Sequence, residues 1–102
     1  MPTRAQIEKL LALEPDDAFL LYAMGQDLAN NDEHEEALVY FDRTLASDPG
    51  YFYAFYFKAR SLVALGRTDE AAAVLEEGLA TAKRVGDAKA ASELDQLRSM
   101  YA

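Results

Sequence analysis

The sequence predicts an all-α superhelix of about six antiparallel helices. Three observations predict it. The chain repeats itself at a spacing of 34 residues. Clusters of Pro, Gly, Asn and Asp punctuate it between stretches with helical spacing of apolar residues. No strand pattern and no low-complexity segment appears.

The register is clearest from Pro15 and Pro49, which stand 34 residues apart. At that offset Tyr22 falls on Tyr56, Leu28 on Leu62, Glu36 on Glu70, Ala37 on Ala71, Leu45 on Leu79 and Ala46 on Ala80. Similar residues also pair: Phe19 with Tyr53, Leu21 with Phe55, Gly25 with Ala59, Phe41 with Leu75. The match extends backwards. Ile7, Phe41 and Leu75 share one slot, Leu11, Leu45 and Leu79 another, Ala12, Ala46 and Ala80 a third, and Glu8, Asp42 and Glu76 a fourth. A chance alignment would not keep small, large and acidic slots in phase across three copies.

Thr3 followed by Gln6 reads as a capping box that opens the first helix, which runs to about Leu13 and stops before Pro15. Ile7, Leu10, Leu11 and Glu14 carry its helical spacing. Asp16 or Asp17 caps the second helix, which runs to about Ala29. Asn30-Asn31-Asp32 is a turn, and Glu33 to about Ala46 is the third helix, with Ala37, Leu38, Phe41 and Leu45 inward. Ser47-Asp48-Pro49-Gly50 breaks the chain again. Tyr51 to Leu65 is the fourth helix, ended by Gly66. Thr68 caps the fifth, which runs through Ala72, Leu75 and Leu79 to about Lys83 or Val85. Gly86 ends it, and Asp87 caps a last helix from about Ala88 to Tyr101. Its polar face of Ser92, Glu93, Asp95, Gln96 and Arg98 suits a terminal capping helix. The expected units are a half repeat over 1–15, whole repeats over 16–49 and 50–84, and a capping helix over 85–102, all in one domain.

At these residues the chain resembles the tetratricopeptide repeat (TPR) family, whose 34-residue pattern runs W-x2-L-G-x2-Y, then A-x3-F, then P. The first copy fills the slots with Leu21, Met24, Gly25, Leu28, Ala37, Phe41 and Pro49. The second fills them with Phe55, Lys58, Ala59, Leu62, Ala71, Leu75 and Lys83. Lys58 puts a charge in an apolar slot, so its stem is expected along the core edge with its ammonium reaching water. Lys83 replaces the closing Pro, so the helix there is expected to run longer. The Gly86-Asp87-Ala88-Lys89-Ala90-Ala91 tail resembles that of small stand-alone bacterial TPR proteins.

The run Tyr51-Phe52-Tyr53-Ala54-Phe55-Tyr56-Phe57 packs six of eleven aromatics into seven residues, and no helix can point them all one way. Phe55 lies on the Leu62 face and is core by register, with Phe52 one turn before it. In the TPR family the first helix of each repeat lines a concave groove for ligand peptides. The resemblance therefore implies that Phe19, Tyr22, Gln26, Tyr53, Tyr56, Phe57 and Arg60 lie on or near that groove. Phe57 either faces the groove or packs on the neighbouring repeat. Three exposed rings at Tyr53, Tyr56 and Phe57 would present about 450 Å², enough to rival the largest patch on a monomer. The expected partner is a peptide or helical segment held by aromatic anchors, with Arg60 pairing a ligand carboxylate. The alternative is a homodimer closed by the same face. Some TPR domains clamp a C-terminal carboxylate with Lys, Asn and Arg. The matching slots here hold Tyr22, Gln26 and Phe57, so that clamp is not expected.

Composition bounds the function classes. Ten bases against eighteen acids give a net charge of −8, which argues against nucleic acid and anionic membrane as partners. No cysteine is present, so neither disulfides nor thiol chemistry is available, and a cytoplasmic setting is the simplest expectation. Met1-Pro2-Thr3-Arg4 lacks the apolar run of a signal peptide, and no stretch approaches the length of a membrane span. His34, the single histidine, sits among acids that read as a solvated turn favouring a helix N-terminus. With one histidine and no glycine-rich phosphate loop, no catalytic set can be assembled. The sequence is thus read as a non-enzymatic binding module with no cofactor and no metal.

Overall fold

A computed structural model describes residues 2–101. Met1 and Ala102, the outermost residues of the first and last expected units, lie outside the described residues. Six helices follow in order: α1 (Arg4–Leu13), α2 (Ala18–Asn30), α3 (His34–Ser47), α4 (Phe52–Ala64), α5 (Thr68–Val85) and α6 (Ala88–Tyr101). Local chemistry sets their starts. Thr3 accepts from the Gln6 amide while the Gln6 side chain accepts from the Thr3 amide, completing the capping box of α1. Asp17, rather than Asp16, caps α2 by accepting from the Leu20 amide. Asp87 caps α6 through the Ala90 amide. Thr68 does not cap α5. It is the first helical residue, and Arg67 occupies the cap position without a side-chain hydrogen bond. Glu33 likewise precedes α3 in place of beginning it. Both have nearly the same backbone, φ −95° and ψ 59° at Glu33, φ −100° and ψ 58° at Arg67.

The ends of α2, α4 and α5 share one hydrogen-bonded form. After α2, the Glu33 amide donates to the Leu28 carbonyl and the Asp32 amide to Ala29. After α4, the Arg67 amide donates to Leu62 and the Gly66 amide to Val63. After α5, the Asp87 amide donates to Ala82 and the Gly86 amide to Lys83. These are 6→1 and 5→2 pairs, which need a left-handed residue just past the helix. That residue is Asp32 (φ 60°), Gly66 (φ 76°) and Gly86 (φ 78°) in turn. Without Pro at position 83, α5 runs to 18 residues against 14 for α3.

Each helix packs chiefly on its neighbours in sequence, and α4 also touches α2 and α6. These three helices therefore form one layer with α4 at its centre. Two apolar cores lie beneath. Ile7, Met24, Leu28, Ala37 and Phe41 form the first. Phe55, Ala59, Leu62, Ala71, Leu75, Leu79, Ala82, Leu94 and Leu97, with Leu38, form the second. The slot shared by Ile7, Phe41 and Leu75 is buried in all three copies, each side chain contributing about 1.5–3 kcal/mol. Leu10, at helical spacing in α1, is instead exposed.

The copies solve one packing problem with different residues. A Cβ on Gly25 would lie 2.6 Å from the Phe41 ring. The second copy holds Ala59 and Leu75 in those slots, a larger residue facing a smaller one. A Cβ on Gly78 would lie 2.8 Å from the Phe55 ring. The first copy carries Thr44 and Leu21 there, and again the bulk changes sides. Lys58 fits its apolar slot by extending its stem, as expected, but its ammonium meets Asp42 at 2.6 Å.

Candidate functional site

The α2–α4–α6 layer carries a line of touching rings. Tyr22 of α2 packs on Tyr51, with centroids 4.9 Å apart, and on Phe57 of α4 at 6.1 Å. Tyr56 meets Phe57 edge-on at 5.1 Å, a favoured aromatic geometry. The Arg60 guanidinium lies 5.6 Å from the Phe57 ring centre. Gln26, one turn after Tyr22, donates from Nε2 to the Tyr22 hydroxyl at 2.9 Å. Six of the seven residues singled out in the sequence thus lie along the α2–α4 side of this layer, with Tyr53 at the near end of α4. Phe19, the seventh, lies on α2 one turn before Tyr22. It is 61% exposed and takes part in none of these ring contacts.

Exposure within the line is uneven. Tyr53 is 48% exposed, whereas Tyr56 and Phe57 are half-buried. Phe57 packs against the first core and Tyr56 against the second. The three rings therefore do not form one freely exposed patch, and Phe57 takes the second of its two expected placements, packed on the neighbouring repeat. The physical reason is that residues 56 and 57 sit over the seam between the two cores, so each ring covers one of them. Burial pushes the Tyr22 hydroxyl up to about 12, with Tyr51 and Tyr53 adding to the rise and the Gln26 hydrogen bond opposing it. Tyr51 is raised by burial first, then by Asp48 and Asp17.

Two clefts of about 360 Å³ each open between α4 and α6. One lies at the helix N-termini, where Tyr51, Tyr53 and Tyr56 face Asp87, Lys89 and Glu93, with Asp48 on the preceding turn. The other lies further along, where Tyr53, Tyr56, Phe57 and Arg60 face Glu93, Gln96 and Met100. Lys89, Glu93, Gln96 and Met100 form an i, i+4, i+7, i+11 stripe down α6. Sequence reasoning placed Glu93 and Gln96 on a capping face. They border the clefts because α6 stacks on α4 as a further layer helix. Tyr51 was missed because its register partner is Asp17, so no earlier aromatic marks the slot.

His34 departs from its expected solvated turn. Its side chain turns inward, and Nδ1 lies 3.0 Å from Oγ of Ser61, a buried hydroxyl on α4. Nε2 lies 3.7 Å from the exposed Asp32 carboxylate. Ser61 is sealed from solvent, so this trio ties α3 to α4 rather than presenting a nucleophile. Among the described residues no three His, Cys, Asp or Glu groups are gathered as metal ligands. No helix among them is long and apolar enough to cross a membrane.

Known proteins share this architecture. The TPR2B domain of yeast Sti1, solved in complex with pHsp70, superposes with a TM-score of 0.86 at 22% identity, covering 94% of this chain and 77% of that one. PcrH, solved with the chaperone-binding region of PopD, superposes at 0.77 and 19% identity, covering 95% and 77%. In sequence, a TPR repeat-containing protein of Pseudomonas aeruginosa is 31% identical over 88 residues, which is 86% of this chain and 84% of that one. The photosystem I assembly protein Ycf3 of Acaryochloris marina is 40% identical over 70 residues, 66% of this chain but only 42% of its own length. A tetratricopeptide repeat model matches residues 28–94, which run from the last turn of α2 into α6 and include Tyr51, Tyr56, Phe57 and Arg60 of the aromatic line. With that match over the same 34-residue register that shapes its turns and cores, the chain belongs to the tetratricopeptide repeat family.

Proposed function

We propose that the α2–α4–α6 face receives a peptide or helical segment of a partner protein, and that the protein works as a non-catalytic interaction module. The observation that carries this reading is the pair of clefts flanked by the aromatic line, with Tyr53 half in solvent between them. Two TPR neighbours of the same fold are seen with protein segments bound, Sti1 with pHsp70 and PcrH with PopD, which supports the reading. In this proposal Tyr22, Tyr56 and Phe57 form a rigid floor, preordered by their mutual contacts, so little side-chain entropy is lost on binding. Tyr53 and Phe19 are the exposed anchors. Gln26 offers its remaining polar atoms to a peptide backbone. Arg60 makes no ion pair among the described residues and is available to a ligand carboxylate. The acidic chain disfavours nucleic acid and anionic membrane, and a cytoplasmic setting is proposed from the absence of cysteine.

Selection from a displayed library of random peptides tests it. Selected peptides should lose binding on Tyr53→Ala, a change at an exposed side chain that leaves both cores intact. Selected peptides that bind Tyr53→Ala and Arg60→Ala as well as the parent would refute it. Exposure of Tyr53 and of Met100 (72%) on one face favours a second reading, a homodimer through the same surface. Light scattering distinguishes the two: a dimer lost on Tyr53→Ala supports self-assembly.

A further inference from the structure

Resting on the proposed peptide groove, the charge and shape of its N-terminal cleft identify what that cleft accepts. We infer that it takes a cationic side chain, an arginine or lysine of the partner segment, seated against Tyr51, Tyr53 and Tyr56 and neutralised by Asp48, Asp87 and Glu93. The walls supply four aromatic side chains, Phe52 with the three tyrosines, and three carboxylates against one base, Lys89. A cation seated over a tyrosine ring is attracted by the ring quadrupole, more strongly when it is desolvated.

The carboxylates are held in place. Asp48 accepts from the Gly50 amide at 3.0 Å, and Asp87 accepts from the Ala90 amide at 3.0 Å, each through Oδ1. Each therefore keeps its second oxygen for a ligand. None of Asp48, Asp87, Glu93 or Lys89 enters an ion pair among the described residues. Asp48 contributes to the raised pKa of Tyr51, so negative potential already reaches the aromatic wall. The N-terminal ends of α4 and α6 border the cleft, and their dipoles would favour an anion. The α6 end is already answered by Asp87, and the lining carboxylates outnumber Lys89, so an anionic ligand meets net repulsion. A volume of about 360 Å³ sits at the low end of small-ligand pockets and suits one long side chain rather than a folded element. The opposite end of the same trough carries Arg60. The trough is thus polar along its length, and a bound segment would run with its base toward the start of α4 and any acidic group toward Arg60.

Amide chemical-shift titration with N-acetyl-arginine amide, N-acetyl-norleucine amide and N-acetyl-glutamate amide tests the inference. The arginine compound should shift amides around Tyr51, Tyr53, Tyr56 and Ala90, and added salt should weaken it. Glu93→Gln should weaken it about threefold, as should Tyr53→Ala. Norleucine, which has a similar stem and no charge, should bind more weakly, without salt dependence, and indifferently to Glu93→Gln. Equal shifts from arginine and norleucine, or shifts untouched by Glu93→Gln, would overturn the cationic reading while leaving the peptide groove standing. No shift in the cleft from arginine would overturn it too. Shifts there that grow with protein concentration alone would assign the cleft to a second copy of the chain. Failure of the groove itself is read separately, from library peptides that ignore Tyr53.

Discussion

Gly25 and Phe41 show how narrowly single residues are fitted to one another. The 2.6 Å approach leaves no room for a Cβ, so Gly25→Ala should destabilise the protein by about 1–3 kcal/mol in urea unfolding. Adding Phe41→Leu reproduces the Ala59–Leu75 pair of the second copy. The double variant should therefore lose less than the sum of the single losses, and strict additivity would contradict the account. Tyr22 gives a pH test. Its raised pKa means the folded protein keeps a proton that the unfolded chain releases above its ordinary value of 10. Stability should thus be unaffected below that value and fall as pH rises from 10 toward 12. In Tyr22→Phe the alkaline decline should be shallower. The slots at this scale were legible in the sequence wherever identity recurred, but recurrence is not burial. Ala12, Ala46 and Ala80 keep register perfectly and are all exposed, where alanine serves helix propensity alone.

Helix ends and helix edges carry the next set of consequences. Gly66 and Gly86 hold left-handed backbones, so each Gly→Ala change should cost about 1–2 kcal/mol in the same unfolding assay. Asp32 holds that conformation in the first copy, so Asp32→Gly should relieve the backbone while losing the exposed contact to His34, a net change within about 0.5 kcal/mol. At the other extreme, among the described residues α1 packs on α2 alone and buries one side chain, Ile7. Arg4 ties it down, reaching Asp27 at 2.6 Å and Glu33 at 2.5 Å. Amides of α1 should exchange faster than those of α3 to α5, and faster still in Arg4→Ala. Helix number, order and most boundaries were readable from breakers and spacing. The start of α5 was not, because Thr68 is a good capping residue in composition, while the Schellman turn after α4 places Arg67 in the cap position. The inward turn of His34 was equally hidden, since its partner Ser61 lies 27 residues away on another helix.

For the molecule as a whole, stacking converts three separated helices into one face. The 34-residue register indicated which residues of α2 and α4 share that face, and it separated buried Phe55 from Tyr22, Tyr53 and Tyr56. It did not show that Tyr56 and Phe57 straddle two cores, because the register describes each copy and the seam belongs to neither. Nor did it reveal the α6 wall, because Glu93 and Met100 have no aromatic counterparts one repeat earlier. The proposed groove depends on this assembly, so its central test must read the face in the intact protein. Amide chemical-shift mapping with a library-selected peptide does so most directly. The account predicts shifts concentrated at Tyr22, Tyr53, Tyr56, Phe57, Arg60 and Glu93. Shifts concentrated on the exposed faces of α3 and α5 would contradict it.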